Sequence, residues 1–443
     1  MNTQLTTTRP AQERAQFVRD HLPAGGLFQD QHWRVATAPF PLGEKVAREF
    51  QTLGRLLLQF YRAVNLLYRQ SAAGKQPAWV ADWLDRGKPQ HLIDLQRDPA
   101  FKNDVPRVIR PDILLTDSGL SIIELDSVPG GIGLTAWLNK TYSALDFPVI
   151  GGAEGVTHGF ASISGGAPRT HIIISEEAGT YRPEMQWLAT QLDGDRFHVQ
   201  ASSFTGFNKN DAVYRFFELF DLVNVPSAKA IFDAARAGDI RLTPPPKTIF
   251  EEKMLFALLW NRNLQSFWRQ NLGESFFKRL QTIVPYTWLV DATPLPPNGA
   301  IPEINLTDWQ QLKTLSQRER DLILKVSGFS EEAWGARGVY LGSDLSIDEW
   351  SAAVDKAVAH ADRSPYVLQR YHKPRLVESE YFDFESQKVV PMNGRVRLCP
   401  YYFVAGEGDA ARAELGGILA TICPADKKII HGMKDAILAP CVT

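Results

Sequence analysis

Two charged pairs, set at alternate positions in neighbouring β-rich runs, constrain this chain more than any other feature. Residues 108–131 read VIRPDILLTDSGLSIIELDSVPGG, with Arg110 and Asp112 in the first run and Glu124 and Asp126 in the second. A spacing of i, i+2 puts both members of a pair on one face of a strand. Between the runs lies Thr116-Asp117-Ser118-Gly119. A three-residue loop over 117–119, with Gly119 left-handed, pairs Thr116 with Leu120, Asp112 with Glu124 and Arg110 with Asp126. Carboxylates facing each other across a ladder repel unless something cationic stands between them. Arg110 supplies one positive charge. A hard divalent cation such as Mg²⁺, bound by carboxylates and substrate phosphates, would supply the rest. The competing reading is a solvated hairpin face whose charges meet by chance.

The rest of the chain narrows the classes open to it. At 443 residues it calls for two or three domains or subdomains. A formal net charge of −2 gives no basic excess for nucleic acid, and no apolar run reaches membrane-spanning length. The polar N-terminus, MNTQLTTTRPAQERAQ, has no signal-peptide core. The three cysteines, Cys399, Cys423 and Cys441, come late and lack metal-ligand spacing, which fits a reducing cytoplasm. Cys399 and Cys423 sit in apolar runs where buried, inert thiols are expected.

Residues 1–100 read as a helical region, with apolar positions at helical spacing from Glu44 to Gln70 and again at 79–84. The hairpin and a following helix occupy 101–167. An α/β unit spans 168–246: strand 171–175, helix 181–192, strand 197–202, helical run 213–220 and strand 221–226, closed by Pro244-Pro245-Pro246. The last unit, 247–443, opens with a strongly helical stretch at 250–280. Strands follow at 321–328, 339–342 and 366–371, and later ones include KVVPMN and RVRLCPYYFV. The fold class is therefore α/β, or α+β.

A second constellation is LKVSG followed by GARGVYLG, with Lys325 on a strand and Gly335 to Gly338 in the loop after it. A lysine offers a point charge, and glycines let main-chain N–H groups approach an anion. The pattern matches neither a P-loop nor a dinucleotide fingerprint, so a β-hairpin with a polar tip explains it equally well. Strand 366–371, if at an edge, could offer its main chain to a purine.

In their order these pieces resemble a circularly permuted ATP-grasp protein, similar to the synthetase domain of glutathionylspermidine synthase. There an Arg-x-Asp is followed twelve residues on by Glu-x-Asn. Arg110, Asp112 and Glu124 match, while Asp126 stands where asparagine is usual. The resemblance implies Mg²⁺ on Asp112, Glu124 and Asp126, with ATP phosphates on Arg110, Lys253 and Lys325. Lys253 precedes an apolar run, MLFALLW, as in the family. Gly335 and Gly338 would belong to the loop over the phosphates, and Gln369, Arg370 and Tyr371 to the strand holding adenine. Arg397 is expected to reach the phosphates or an acyl phosphate. Metal ligands ahead of the lysines imply permutation, and 168–246 would be a pre-ATP-grasp-like subdomain. The activity implied is ATP-dependent ligation of a small-molecule carboxylate to an amine, with phosphotransfer or a non-catalytic relative as alternatives.

Overall fold

The computed structural model describes residues 9–297, 299–333, 337–430 and 432–443. Its largest sheet has eight strands, in the order Arg34–Val35, Ile437–Val442, Arg412–Pro424, Lys388–Ala405, Val108–Thr116 and Gly119–Asp126. Strand Leu376–Asp383 also pairs with Lys388–Ala405, and Phe40–Pro41 with Ile437–Val442. A second, four-stranded sheet runs Val339–Leu341, Leu322–Val326, Tyr366–Arg370, Thr287–Leu289, antiparallel throughout. The third is parallel: Phe197–Ala201, Thr170–Ile174, Ala212–Phe216, Arg241–Thr243.

Helix Glu44–Ala72 covers the large sheet. Its Phe50, Leu53, Leu57, Phe60, Val64 and Leu67 recur at three- and four-residue steps, which gathers them into one apolar stripe. Gly54 lets the helix come close: a Cβ there would stand 2.5 Å from the Tyr402 ring and 3.0 Å from the Ala413 carbonyl. Tyr402 in turn donates its hydroxyl to Phe50 O at 2.7 Å, so a buried phenol is satisfied by the helix it supports. The main core draws on residues from Ala15 to Cys441, joining the N-terminal helices, the hairpin and the last strands. A separate core built on Trp288, Leu324, Trp350 and Leu368 underlies the second sheet.

The hairpin keeps the expected charge pairings by a different route. The turn has two residues, with Thr116 opposite Gly119, and Gly119 takes a positive φ of 130°. A bulge then leaves Ile123 unpaired and restores the register, so Asp112 faces Glu124 and Arg110 faces Asp126.

Elsewhere several expectations fail. The run 213–220 is not helical: Ala212–Phe216 is a strand flanked by parallel partners on both sides. Ladder bonds on both sides outweigh the propensity of so short a run. Residues 221–226 are not a strand, because Leu219–Asn224 is a 3₁₀ turn. The stretch 250–280 is helical as expected, divided among Leu255–Trp260, Gln265–Leu272 and Glu274–Ile283. KVVPMN and RVRLCPYYFV are strand as expected, joined in one, Lys388–Ala405, of 18 residues. Strand Tyr366–Arg370 is no edge, since it pairs with Leu322–Val326 on one side and Thr287–Leu289 on the other.

Candidate functional site

The hairpin faces a cleft of about 420 Å³, within the size range of small-molecule sites. One wall is the large sheet, which supplies Arg110, Asp112, Glu124, Asp126 and Arg397. The other is the second sheet, which supplies Lys325, Gln369 and Arg370, with Tyr371 just beyond its strand. Lys253 enters from the turn ahead of helix Leu255–Trp260. Gly338 is not on the lining. It packs against Val326 and Glu332, and a Cβ there would stand 2.6 Å from the Val326 side chain. Gly335 lies outside the described residues.

Charges inside the cleft are organised in pairs. Arg110 stands 2.6 Å from Asp126 and 3.3 Å from Asp112. Arg397 stands 3.0 Å from the second oxygen of Asp112, across the ladder that joins their strands. Lys253 is 3.0 Å from Glu124 and also donates to the Ala333 carbonyl at 3.0 Å. Lys325 donates to Gln369 Oε1 at 2.9 Å and to the Ile123 carbonyl at 3.1 Å. Gln369 is oriented by donating its amide to Thr287 Oγ1 at 3.1 Å. The main-chain N–H groups of Arg370 and Tyr371 are already spent, on the carbonyls of Tyr286 and Asp321.

These neighbours decide the ionisation. Burial works against the charged form of Arg110, yet Asp112 and Asp126 hold its pKa well above the ordinary value. Burial likewise opposes the charges of Glu124 and Lys253, and their mutual attraction overrides it, lowering the first and raising the second. Lys325 is the exception. Burial, reinforced by Lys253 nearby, pulls it down to about 8 despite Glu124. Asp126 is pushed above the usual carboxylate range, chiefly by burial.

Among the described residues, six cationic side chains line the cleft (Arg110, Lys253, Lys325, Arg370, Arg397, Lys428) against four carboxylates (Asp112, Glu124, Asp126, Glu177), a formal excess of two positive charges. The whole chain carries a formal −2. Positive potential is thus concentrated where a polyanion would bind. The Nε atoms of Arg110 and Arg397 are buried with no partner among the described residues. The carboxylates are hard oxygen donors of the type Mg²⁺ takes. Each is held by a cation, and among the described residues no group of three or more His, Cys, Asp or Glu side chains is gathered for a metal.

Arg397, expected from the sequence, does line the cleft, and two lining residues, Tyr401 and Tyr181, carry no sequence signal. Arg397, Cys399 and Tyr401 alternate along one strand and share its cleft face. That period was visible; its direction was not. Cys399 is buried, as expected of an inert thiol, and its Sγ lies 3.4 Å from Asp112. Burial and that carboxylate push the thiol up to about 12. Tyr401 donates its hydroxyl to Gly130 O at 2.7 Å, and Tyr181 reaches the cleft from the third sheet's side.

Among the described residues no helix is long and apolar enough to cross a membrane. No family model matches the sequence, and no curated protein sequence does. Among solved structures the chain is similar to a glutathione synthetase-like effector from Globodera pallida in its apo form. The TM-score is 0.58 at 11% identity, over 97% of this chain and 94% of that one. A putative gamma-glutamylcysteine synthetase from Methylobacillus flagellatus KT matches at a TM-score of 0.40 and 11% identity, over 90% and 89% of the two chains. The first of these likenesses fixes the fold: a mixed α and β architecture like that of a glutathione synthetase-like protein.

Proposed function

We propose that this chain is an ATP- and Mg²⁺-dependent carboxylate–amine ligase on a circularly permuted ATP-grasp fold. The observation that carries the reading is the convergence of Arg110, Arg397, Lys253 and Lys325 on three carboxylates in one cleft between two sheets. A phosphoryl group in transfer spreads its charge over its oxygens, so catalysis rests on positioning and electrostatic stabilisation rather than on a protein nucleophile. Arg110, Lys253 and Lys325 bind the phosphates, and Arg397 steadies the acyl end. Asp112, Glu124 and Asp126 would hold Mg²⁺ once the phosphates take over their cations. The ion would neutralise charge on the phosphate oxygens. Gln369, Arg370 and Tyr371 line the adenine end with side chains, because the N–H groups of the latter two are committed within the sheet.

The substrate carboxylate takes the γ-phosphoryl group of ATP, giving ADP and an acyl phosphate. The amine, in its neutral form, then attacks the acyl carbon; the C–O bond to phosphate breaks, and the nitrogen's surplus proton leaves with inorganic phosphate. Ala333, whose carbonyl already accepts from Lys253, would help to keep water from the acyl phosphate. ADP release from Mg·ATP across a panel of carboxylates and amines tests the reading, with Glu124→Gln as control. The expected result is release that needs both substrates and is lost in the variant. Release with one acceptor alone marks a phosphotransferase. Binding without turnover marks a non-catalytic relative, and turnover indifferent to Glu124→Gln sinks the metal assignment.

A further inference from the structure

A small recess opens off the cleft beside Lys253 and Asp126. It measures about 50 Å³ and is lined by Ser127, Glu218, Phe220, Glu251 and Phe329 in addition to the shared residues Glu124, Asp126, Lys253 and Ala333. Nothing in the phosphate chemistry above uses Glu218, Glu251 or Ser127.

The chemistry of its walls is specific. Arg215, fully buried, holds Glu251 at 2.7 Å, and Leu219 N–H donates to the other Glu251 oxygen at 2.9 Å. Both Glu251 oxygens are thereby held in place. Glu218 is hydrogen-bonded to it with no arginine of its own. Burial, then repulsion from Glu251 and Asp126, raises Glu218 well above the ordinary carboxylate range. A cation set between the two carboxylates would relieve that repulsion. Ser127 lines the same recess, is 2% exposed, and its Oγ has no hydrogen-bond partner among the described residues. In a neighbouring recess that shares Glu218 and Phe220, Asp221 Oδ2 is also buried, with no hydrogen-bond partner among the described residues. Two carboxyl groups sharing a proton that an entering cation would displace, a free hydroxyl and two aromatic rings together make an environment for an ammonium group, which donates three hydrogen bonds and is attracted to ring faces. The volume suits an unbranched head rather than a quaternary one.

We propose that this recess receives the ammonium group of the amine substrate, an unbranched primary amine, through Glu218, Ser127 and Phe220. The proposal rests on the ligase reading for the word substrate, but the binding itself needs neither ATP nor turnover. A nitrogen held there stands next to Lys253 and Asp126, on the side of the cleft where the phosphates would lie.

Titration calorimetry of the full chain with butylammonium as probe, and with butanol and tetramethylammonium as neutral and quaternary controls, tests it. Saturable butylammonium binding is expected, with neither control competing. Glu218→Gln should weaken it roughly tenfold, the loss of one charged hydrogen bond. If Glu218→Gln melts early, Ser127→Ala and Phe220→Leu read the same quantity and should each weaken the probe. Equal affinity in the wild type and these variants, competition by butanol, or no saturable binding overturns the proposal. A chain that binds butylammonium through Glu218 but never releases ADP refutes the ligase reading and leaves the recess standing.

Discussion

Lys325 donates from Nζ to the carbonyl oxygen of Ile123, 3.1 Å away, and Ile123 is the residue left unpaired by the bulge in the hairpin. The bulge thus does two things. It restores the pairing of Asp112 with Glu124, and it leaves a ladder-free carbonyl to tether a lysine that reaches across from the other sheet.

Lys325 should control nucleotide affinity and its pH dependence. Its ammonium is buried and drawn down to about 8, so the free protein loses this charge at the alkaline end of the working range. Affinity for ATP should hold up to about pH 8 and fall above it, by as much as tenfold per pH unit. Lys325→Met should weaken ATP by about a hundredfold and flatten that fall. Fluorescent-nucleotide titrations from pH 7 to 9.5 measure both. A wild-type affinity that is flat over this range would show that Lys325 is not a phosphate ligand.

Asp126 offers the cleanest separation of metal from nucleotide. It accepts from Arg110 at 2.6 Å and from Val128 N–H at 2.9 Å. Asparagine keeps an acceptor for Val128 while removing one negative charge and loosening Arg110. Asp126→Asn should raise the Mg²⁺ concentration for half-saturation about tenfold, yet strengthen metal-free ATP binding several-fold. Binding measured with and without EDTA decides the point. A variant that weakens both alike would make Asp126 a structural residue.

A buried clamp sets the two lysines. Lys88 and Glu252 stand 2.5 Å apart with side chains 1% exposed. Ser327 donates to Glu252, accepts from Met254 N–H at 2.9 Å, and lends its carbonyl to Lys253 N–H at 3.0 Å. One serine thereby joins the segment of Lys253 to the strand end of Lys325. Lys88→Met leaves a buried carboxylate without its cation and should cost ~3–5 kcal/mol, and Ser327→Ala should cost ~1–3 kcal/mol. Urea unfolding gives both. A loss under ~0.5 kcal/mol for Lys88→Met would mean that water reaches Glu252.

The sequence carried the hairpin's charge pairing because period-two spacing survives any turn that restores register. The expected three-residue loop is a two-residue turn compensated by a bulge, and Ile123 bears no mark of being the extra residue. Arg397 was readable as a charge alternating with apolar neighbours. Its partner Asp112 lies 285 residues away, a distance that only sheet pairing closes. Strand Ala212–Phe216 shows no alternation because both its faces are buried, Val213 in one core and Tyr214 and Phe216 in another, so its periodicity carries no face. The recess at Glu218 was invisible for a related reason. Glu251 and Arg215 are drawn together by folding of the third sheet, and neither lies in a motif.

Glu184 gives the last prediction. It is fully buried, accepts from Gly131 N–H at 2.7 Å and Leu134 N–H at 2.9 Å, and so caps helix Ile132–Ser143 at the cleft's edge. Burial pushes it up to about 7, outweighing those N–H groups and Arg110, all of which favour the carboxylate. The folded-state value therefore lies above the unfolded one, and between them the native chain binds more protons than the unfolded chain. The stability this contributes is complete below the unfolded value, near 4.3, and is lost as pH rises through about 7. Its size is at most ~4 kcal/mol. Glu184→Gln cannot titrate, so its stability should lack this decline, whatever the amide costs at the cap. Urea unfolding of both proteins from pH 4.5 to 8 should give curves that converge or cross as pH rises. Parallel curves would mean that Glu184 is ionised throughout, and that the helix N-terminus, not burial, sets its charge.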